Sequence, residues 1–554
     1  MRPLDWFVLA GSLIFIISYG LWRGRGSDSM NKYLLAGKTM PWYAMALSIM
    51  ATQASAITFI STTGQAYADG MRFVQFYFGL PIAMVILSMT AVPIFHRSGV
   101  YTAYEYLERR FDARVRALVS IIFLLQRGLA VGVALYAPAV VLTVIMGWPD
   151  QWTTLIMGLL VLAYTVAGGI QAVTWTDFQQ MLVMFAGLLI ALTMAIVMLP
   201  GDTSLGDALA LAGAAGRLNP VVLRFNWSDT YNVWSGLIGG LFLALAYFGT
   251  DQSQVQRYLT GRSVAQSRIS LLFSGIVKVP MQFLILLTGT MVFVFFTFEK
   301  PPMLFDRTEL RQLESKAEYT GLSTQYDAAY EQRRAAARQY LRTHSENELM
   351  SFRARNLEFE QVRKAAGAKD TNYIFLTFVT KYLPAGVVGL IMAAIFAAAM
   401  STISAEVNSL ATVSVIDVYQ RHIRRNSTDR HYLNASRIFT AFWCGYAIIT
   451  AQFGASLGSL IEAVNRLGSY FYGGMLGVFT LAFFFPRVGS NAAFIAVIVG
   501  EAAIFGAAFF TDIFFLWYNV IGAVVVVVTG ALLSLAAPRD PLTSSDNLSS
   551  PSLH

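Results

Sequence analysis

The sequence predicts an all-α polytopic membrane protein with about thirteen transmembrane helices. Of its 554 residues, 56% are hydrophobic and only 13% are charged, and the mean hydropathy is +0.55. A soluble domain of this size carries more charge, and the apolar runs reach the roughly twenty residues that a helix needs to cross a bilayer. Polar residues interrupt two of these runs, which is typical of transporters.

The predicted spans have boundaries good to a few residues. They are approximately 4–22, 42–66, 73–96, 117–146, 152–170, 178–199, 232–250, 270–298, 384–416, 434–452, 457–485, 491–511 and 514–537. No small-residue cleavage site follows the first run, so we interpret it as a retained span and not as a signal peptide. The single cysteine, Cys444, lies in an apolar run and predicts a buried, inert thiol.

The short connecting loops predict the orientation. Basic residues follow every second span: Arg23, Arg25, Lys32 and Lys38; Arg97, Arg109, Arg110, Arg114 and Arg116; Arg257, Arg262 and Arg268; Arg421, Arg424 and Arg425. By the positive-inside rule these loops are cytoplasmic, which places the N-terminus outside and the C-terminus inside a plasma (cell inner) membrane. We therefore attribute the net charge of +8 to the basic residues of the cytoplasmic loops, and nucleic acid is not an expected partner.

Composition divides the chain into five segments. We expect an extra N-terminal span and cytoplasmic loop, a first repeat, a second repeat with an extracellular soluble insertion at 300–371, two C-terminal spans and a disordered cytoplasmic tail; these are residues 1–40, 41–200, 201–485, 486–537 and 538–554. The insertion is charged and helix-forming. A solvated insertion is favoured over a lid or a partner-docking hairpin.

Two spans are interrupted near their middles. Residues 51–55 (ATQAS) break the second span, and residues 247–252 (YFGTDQ) break the seventh. These are the first helices of two successive five-span sets, a position that indicates an inverted-repeat transporter with its site at the midplane. The alternative is a pair of helices that use polar residues for packing.

The ninth span places three oxygens on one helical face. Within residues 395–414, Ala398, Ser401 and Thr402 are spaced i, i+3 and i+4. Hydroxyls in a bilayer helix also bond to their own backbone, which is the alternative. Hard oxygens without formal charge suit weak sodium binding. Together with carbonyls freed at the break of the second span, the predicted sodium ligands are Ala51, Ala54, Ala398, Ser401 and Thr402.

Asp177 follows residues 173–176 (VTWT) at the predicted cytoplasmic end of the sixth span. A carboxylate there would draw sodium along its exit path without ligating it. The alternative is a helix N-cap.

Several strings resemble the sodium:solute symporter family. They are residues 104–111 (YEYLERRF), 136–139 (YAPA), 168–173 (GGIQAV) running into 175–177 (WTD), 251–257 (DQSQVQR), and 398–402 with Asn408 and Asp417. The resemblance covers residues 32–487, and the first two strings are most similar to the iodide, multivitamin and monocarboxylate branch. It implies a leucine-transporter-type fold of two inverted five-helix repeats and the same five sodium ligands. Some members hold a second sodium; Ser404 and Asp177 match that pattern, but Ala405 replaces a hydroxyl.

Arg127 is the main candidate for substrate binding. It lies about ten residues into the fourth span, roughly 15 Å deep at 1.5 Å per residue. A buried arginine marks a functional site by default, and a carboxylate is its natural partner. A structural ion pair or a solvated cavity charge is the alternative.

The resemblance to bacterial sialic-acid symporters of this family extends the candidate substrate site. In those proteins an arginine of this helix holds the substrate carboxylate. Besides Arg127, the implied substrate-binding residues here are Ser55, Thr58 and Phe73. Gln75 is a further polar candidate nearby, and Tyr247 matches the aromatic gate of the sugar-transporting branch. The sugar-transporting branch fits less well, because Ala244 stands where its binding asparagine is expected. Lys278, Glu406 and Glu462 are intramembrane charges to which the sequence assigns no role.

We therefore predict a sodium-coupled symporter that imports a small organic anion, such as a sialic acid or a monocarboxylate, by alternating access. The expected cofactor is Na⁺, the expected partners are the substrate and the lipid bilayer, and a monomer is expected. A sodium-coupled sugar or polyol symporter is the alternative, and a transporter-like sensor is less favoured. An enzyme is not expected, because the five histidines lie in loops, at a span end or in the tail.

Overall fold

The computed structural model describes residues 1–25, 29–147, 149–229, 231–368, 370–453 and 460–536. In these residues the chain forms 22 α-helices. They are α1 (Pro3–Arg23), α2 (Met30–Leu35), α3 (Trp42–Gln53), α4 (Ala56–Asp69), α5 (Leu80–Met89), α6 (Ala91–Ser98), α7 (Ala103–Arg110), α8 (Ala113–Met146), α9 (Asp150–Val197), α10 (Leu205–Ala214), α11 (Gly240–Thr250), α12 (Gln252–Leu259), α13 (Val264–Phe298), α14 (Arg307–Glu314), α15 (Tyr319–Thr343), α16 (Glu346–Ala365), α17 (Thr371–Tyr382), α18 (Val387–Val413), α19 (Asp429–Ala451), α20 (Leu460–Phe484), α21 (Ser490–Phe510) and α22 (Leu516–Ala536). A 3₁₀ stretch covers Gly70–Tyr77, and π-helical turns cover Ser235–Gly239 and Ser414–Ile423.

Among the described residues, nine helices are long and apolar enough to cross a membrane. One of them, Ala56–Ser98, contains the outer half of the second predicted span together with the third. The remaining predicted spans coincide with the shorter apolar helices Gln151–Leu162 and Ser235–Thr250 and with α19. The last is less apolar because charged residues occupy its first turns. The predicted tail 538–554 lies outside the described residues.

Helix α9 joins the fifth and sixth predicted spans across a break at Gly169. The φ angle of Gly169 is +60°, and a Cβ there would lie 2.8 Å from the Tyr33 carbonyl oxygen. Glycine is the residue that adopts this conformation without steric cost. The break lets the second half of α9 turn and pack along α18 and α3.

Three helices, α14 to α16, form the extracellular insertion of the sequence prediction. They share a small apolar core that includes Tyr326, Tyr330 and Phe359. Arg333 is buried in this core with its Cζ 3.8 Å from the centre of the Phe359 ring. Helices α10 and α13 contact α15, so the insertion has its own core and rests on the membrane domain.

Both predicted helix interruptions are present. Helix α3 ends at Gln53 and α4 begins at Ala56, with Ala54 outside the helical region of φ and ψ. Helix α11 ends at Thr250, and Asp251, with extended backbone, caps α12 by accepting a hydrogen bond from the Ser253 amide. Helix α18 lies against α3, α4, α8 and α9, and it is buried along nearly its whole length.

Candidate sodium and substrate site

The break in the second span faces the hydroxyl-bearing face of α18. The last carbonyls of a helix have no partners in their own helix, so the end of α3 offers free backbone oxygens. The Thr402 hydroxyl donates to one of them, the Thr52 carbonyl, at 3.1 Å. It also lies 3.2 Å from the Ala398 carbonyl of its own helix. We call this contact between the end of α3 and the hydroxyl-bearing face of α18 the sodium seam, after its predicted role. The other predicted ligands on these two elements, Ala51, Ala54, Ala398 and Ser401, are all buried.

Asp177 lies at the centre of a buried hydrogen-bond network next to the seam. Its Oδ1 accepts from the Ser401 hydroxyl at 2.5 Å, and its Oδ2 accepts from the Ser48 hydroxyl at 2.5 Å. The Arg257 guanidinium lies 3.0 Å from Oδ2. Asp177 is in the interior of α9, because that helix continues on both sides of it. It therefore caps no helix, and the N-cap alternative is wrong.

Arg257 also differs from the sequence interpretation, which counted it among the cytoplasmic loop charges. It is 1% exposed, and besides Asp177 it bonds to the Ser48 and Ser253 carbonyls. Asp177 and Arg257 form a buried ion pair that neutralises both charges. The two residues are 80 positions apart in the chain, so no local periodicity would reveal this partner in sequence.

The donor set fits a sodium ion. The candidate ligands are three carbonyls and two hydroxyls, all hard oxygens. A hydroxyl that donates its proton still has lone pairs to offer a cation, so Ser401 and Thr402 remain able to coordinate while bonded to Asp177 and Thr52. The Ser404 hydroxyl donates to the Ser401 carbonyl at 3.0 Å and remains on its own helix. The roles of all these residues in binding stay predictions.

Arg127 on α8 is 3% exposed and contacts three helices. Its Nη1 donates to Glu406 Oε1 on α18 at 2.8 Å, and its Nη2 donates to Tyr472 on α20 at 2.6 Å and to Asp251 at the break between α11 and α12. Tyr472 also donates to Asp251 at 3.0 Å. We call Arg127, Asp251, Glu406 and Tyr472 the arginine cluster. Arg127 therefore forms buried ion pairs, as the alternative interpretation expected. Substrate binding by the same side chain stays a prediction.

A cavity of about 90 Å³ lies between the sodium seam and the arginine cluster. Its walls bring together four predicted substrate residues and one predicted sodium ligand: Ser55, Thr58, Arg127, Tyr247 and Thr402. Three buried polar atoms of its walls have no hydrogen-bond partner among the residues that the structure describes: Arg127 Nε, Glu406 Oε2 and Gln126 Oε1. This cavity has the position and the polar groups of a substrate site.

Phe73 and Gln75 do not line this cavity. The Gln75 side-chain amide binds the backbone of the loop that carries Val222 and Tyr231. It donates to the Tyr231 carbonyl at 3.0 Å and accepts from the Val222 amide at 2.8 Å. Phe73 stacks on Phe76 and meets the edge of Tyr231, with ring centres 5.3 Å and 5.0 Å apart. Both side chains anchor this loop, and their predicted substrate contacts have no support in the geometry.

Sequence reasoning left Glu406 unassigned and did not consider Asp251 or Tyr472 as partners of Arg127. One signal for Glu406 was available, since it lies four residues after Thr402 and so on the same helical face. No local signal pairs Arg127 with Asp251, 124 residues away. Lys278 lies with its Nζ 5.5 Å from the Tyr77 ring centre, and Glu462 accepts from the Tyr231 hydroxyl at 3.0 Å.

Comparisons with known proteins bear on this site. The model of the sodium:solute symporter family matches residues 33–302 and 352–500. The sodium/sialic acid symporter of Proteus mirabilis is 26% identical over 556 residues, which covers 98% of this chain and 97% of the relative. The sodium/glucose cotransporter of Vibrio parahaemolyticus is 27% identical (89% and 83% covered), and human sodium-coupled monocarboxylate transporter 1 is 28% identical (90% and 72% covered).

A solved structure of a Na⁺-coupled sialic acid symporter in its substrate-bound outward-open state has the same fold. The TM-score is 0.78 at 24% sequence identity, and the match covers 98% of this chain and all of the other. The predicted fold class, an all-α membrane protein with the leucine-transporter-type architecture, is thereby confirmed.

Proposed function

The chain belongs to the sodium:solute symporter family, and we propose on that premise that its central cavity carries a small organic carboxylate into the cell. The protein is a membrane transporter and not an enzyme, and sodium is its coupling ion, as in its named relatives. The substrate class and the residues that bind ion and substrate are our proposal.

The sodium half of the proposal rests on the seam between α3 and α18. Thr402 joins the two helices through the Thr52 carbonyl. The other candidate ligands are buried on the same two elements: Ala51 and Ala54 at the end of α3, Ala398 and Ser401 on α18. A sodium ion there would hold the break of the second span against α18. Its release towards the cytoplasm would free these elements to move apart, which is the coupling step of alternating access.

The substrate half rests on one observation, the free Nε of Arg127 in a buried cavity. A buried guanidinium N–H is a strong hydrogen-bond donor for a carboxylate. Ser55 and Thr58, which carry hydroxyls, line the same cavity. We further propose that the chain works as a monomer with its N-terminus outside and its C-terminus in the cytoplasm.

Uptake into proteoliposomes tests the proposal. An inward sodium gradient, but not a potassium gradient, should drive uptake of at least one labelled carboxylate from a panel of sialic acid, lactate, pyruvate and amino acids. Arg127→Gln should abolish this uptake, and Gln75→Ala should not abolish it, because Gln75 contacts the loop that carries Val222 and Tyr231 instead of the cavity. Sodium-driven uptake of glucose that persists in Arg127→Gln would overturn the carboxylate assignment.

A further inference from the structure

The arginine cluster has no surplus positive charge for an anionic substrate. Arg127 carries one positive charge, while Asp251 and Glu406 carry two negative charges within its hydrogen-bond reach. Counting Lys278, which lies behind the Tyr77 ring, brings the total to zero. A buried site without net positive charge disfavours an isolated anion, since charges taken out of water need a partner.

The unpartnered atoms of the cavity are of both kinds. Arg127 Nε is a donor, whereas Glu406 Oε2 and Gln126 Oε1 are acceptors. Glu406 is 3% exposed and Gln126 is 1% exposed, and buried polar atoms of native proteins are normally paired. A ligand that fills this cavity well needs one group that accepts and another that donates.

Aromatic rings also line the cavity. Phe76, Tyr77, Tyr247 and Tyr472 all line the cavity, and Tyr247 and Tyr472 have ring centres 6.0 Å apart. Ring faces attract cations, an ammonium group included. Tyr247 already lies 5.4 Å from the Arg127 guanidinium, which shows that this wall tolerates a cation.

We propose that the substrate is a zwitterion, a small amino acid whose carboxylate binds Arg127 and whose ammonium group binds Glu406 and Gln126. Such a molecule brings one charge of each sign and leaves the charge balance of the arginine cluster unchanged. The proposal rests on the proposed function, because it takes the same cavity as the transport site. The zwitterion proposal goes further than the proposed function, because it requires a cationic nitrogen in the substrate.

Matched pairs of ligands test this requirement. Each pair differs by one nitrogen replaced with carbon: glycine and propanoate, alanine and isobutyrate, proline and cyclopentanecarboxylate, γ-aminobutyrate and pentanoate. In sodium, purified protein should gain thermal stability from the amino acid of at least one pair at a concentration about 10- to 100-fold below that needed for its carbon analogue. That factor is the worth of a hydrogen bond to a charged group, about 1.5–3 kcal/mol.

Glu406→Gln provides the second test, because it keeps a hydrogen-bond acceptor for Arg127 and removes the charge. The KM for uptake of the amino acid should rise at least about tenfold. The affinity for the carbon analogue should increase, since the site loses one negative charge. A variant that only damaged the structure would weaken both. Glu462→Gln is the matched control, because that acid contacts Tyr231 away from the cavity, and it should leave the selectivity unchanged.

Three outcomes would overturn the proposal of a zwitterionic substrate. Equal or stronger binding of the carbon analogues would show that a carboxylate alone suffices, and it would leave the proposed function standing. Sodium-dependent binding of sugars, or of no amino acid in the panel, would exclude an ammonium ligand. Loss of sodium activation in Glu406→Gln with unchanged selectivity would assign a second sodium ion to this carboxylate.

Discussion

Ser401→Ala should weaken sodium binding without disturbing the arginine cluster. The substitution removes one hydroxyl from the face of α18 and adds no atom, so the buried helix does not have to move. The lost hydroxyl is both a candidate sodium ligand and the donor of a 2.5 Å hydrogen bond to Asp177.

The magnitude follows from that hydrogen bond. A hydrogen bond to a charged group contributes about 1.5–3 kcal/mol, and Asp177 keeps two other partners, Ser48 and Arg257. We therefore expect the lower end of the range to appear in sodium binding. This corresponds to a rise of about tenfold in the sodium concentration that half-saturates uptake.

Ser404→Ala is the matched control. Ser404 is also a buried serine of α18, three residues further on, but within the described part of the chain its hydroxyl bonds to the Ser401 carbonyl of its own helix and not to Asp177. Sodium titrations of uptake, and of thermal stability without substrate, should place Ser404→Ala near the parent and Ser401→Ala about tenfold higher. An unchanged half-saturating concentration in Ser401→Ala refutes the assignment of this seam. A reduced Hill coefficient in Ser404→Ala would instead reveal a second ion.

Two further predictions concern regions outside the transport site. Arg333→Met should lower the free energy of unfolding by about 1.5–3 kcal/mol, since the buried guanidinium stacks on Phe359 and donates to the Phe296 carbonyl. The sodium concentration that half-saturates uptake should not change. A change would show that the insertion takes part in transport. On helix α7, burial raises the pKa of Glu108, but hydrogen bonds from Arg421 and Arg116 outweigh this effect and hold that pKa below its ordinary range. The stabilisation is therefore present at neutral pH and is lost as pH falls below about 4. Glu108→Gln should unfold at a lower temperature than the parent at pH 7, and this difference in unfolding temperature should shrink on acidification. A difference that stays constant with pH would contradict the ion-pair origin.

Much of the architecture was predictable because it depends on local properties of the chain. Apolar length predicts a span wherever about twenty such residues follow one another, and the shorter helices α11 and α19 were found in the same way. The breaks at Ala54 and at Asp251 were visible because polar residues inside an apolar run stand out. The hydroxyl-bearing face of α18 was predictable for a similar reason, since the spacing of Ala398, Ser401 and Thr402 within one helix specifies one face.

By itself, then, the amino-acid sequence determined the membrane class, the two helix interruptions and the hydroxyl-bearing face of α18. Only the tertiary structure decided which charges meet. Arg127, Asp251 and Glu406 come from three different helices, and their contact depends on how these helices rotate and cross. The same holds for Asp177 with Arg257, and for Gln75, whose amide holds a loop instead of a substrate. A buried charge takes its meaning from its partners, because its energy depends on the groups within a few ångströms and not on its neighbours in sequence.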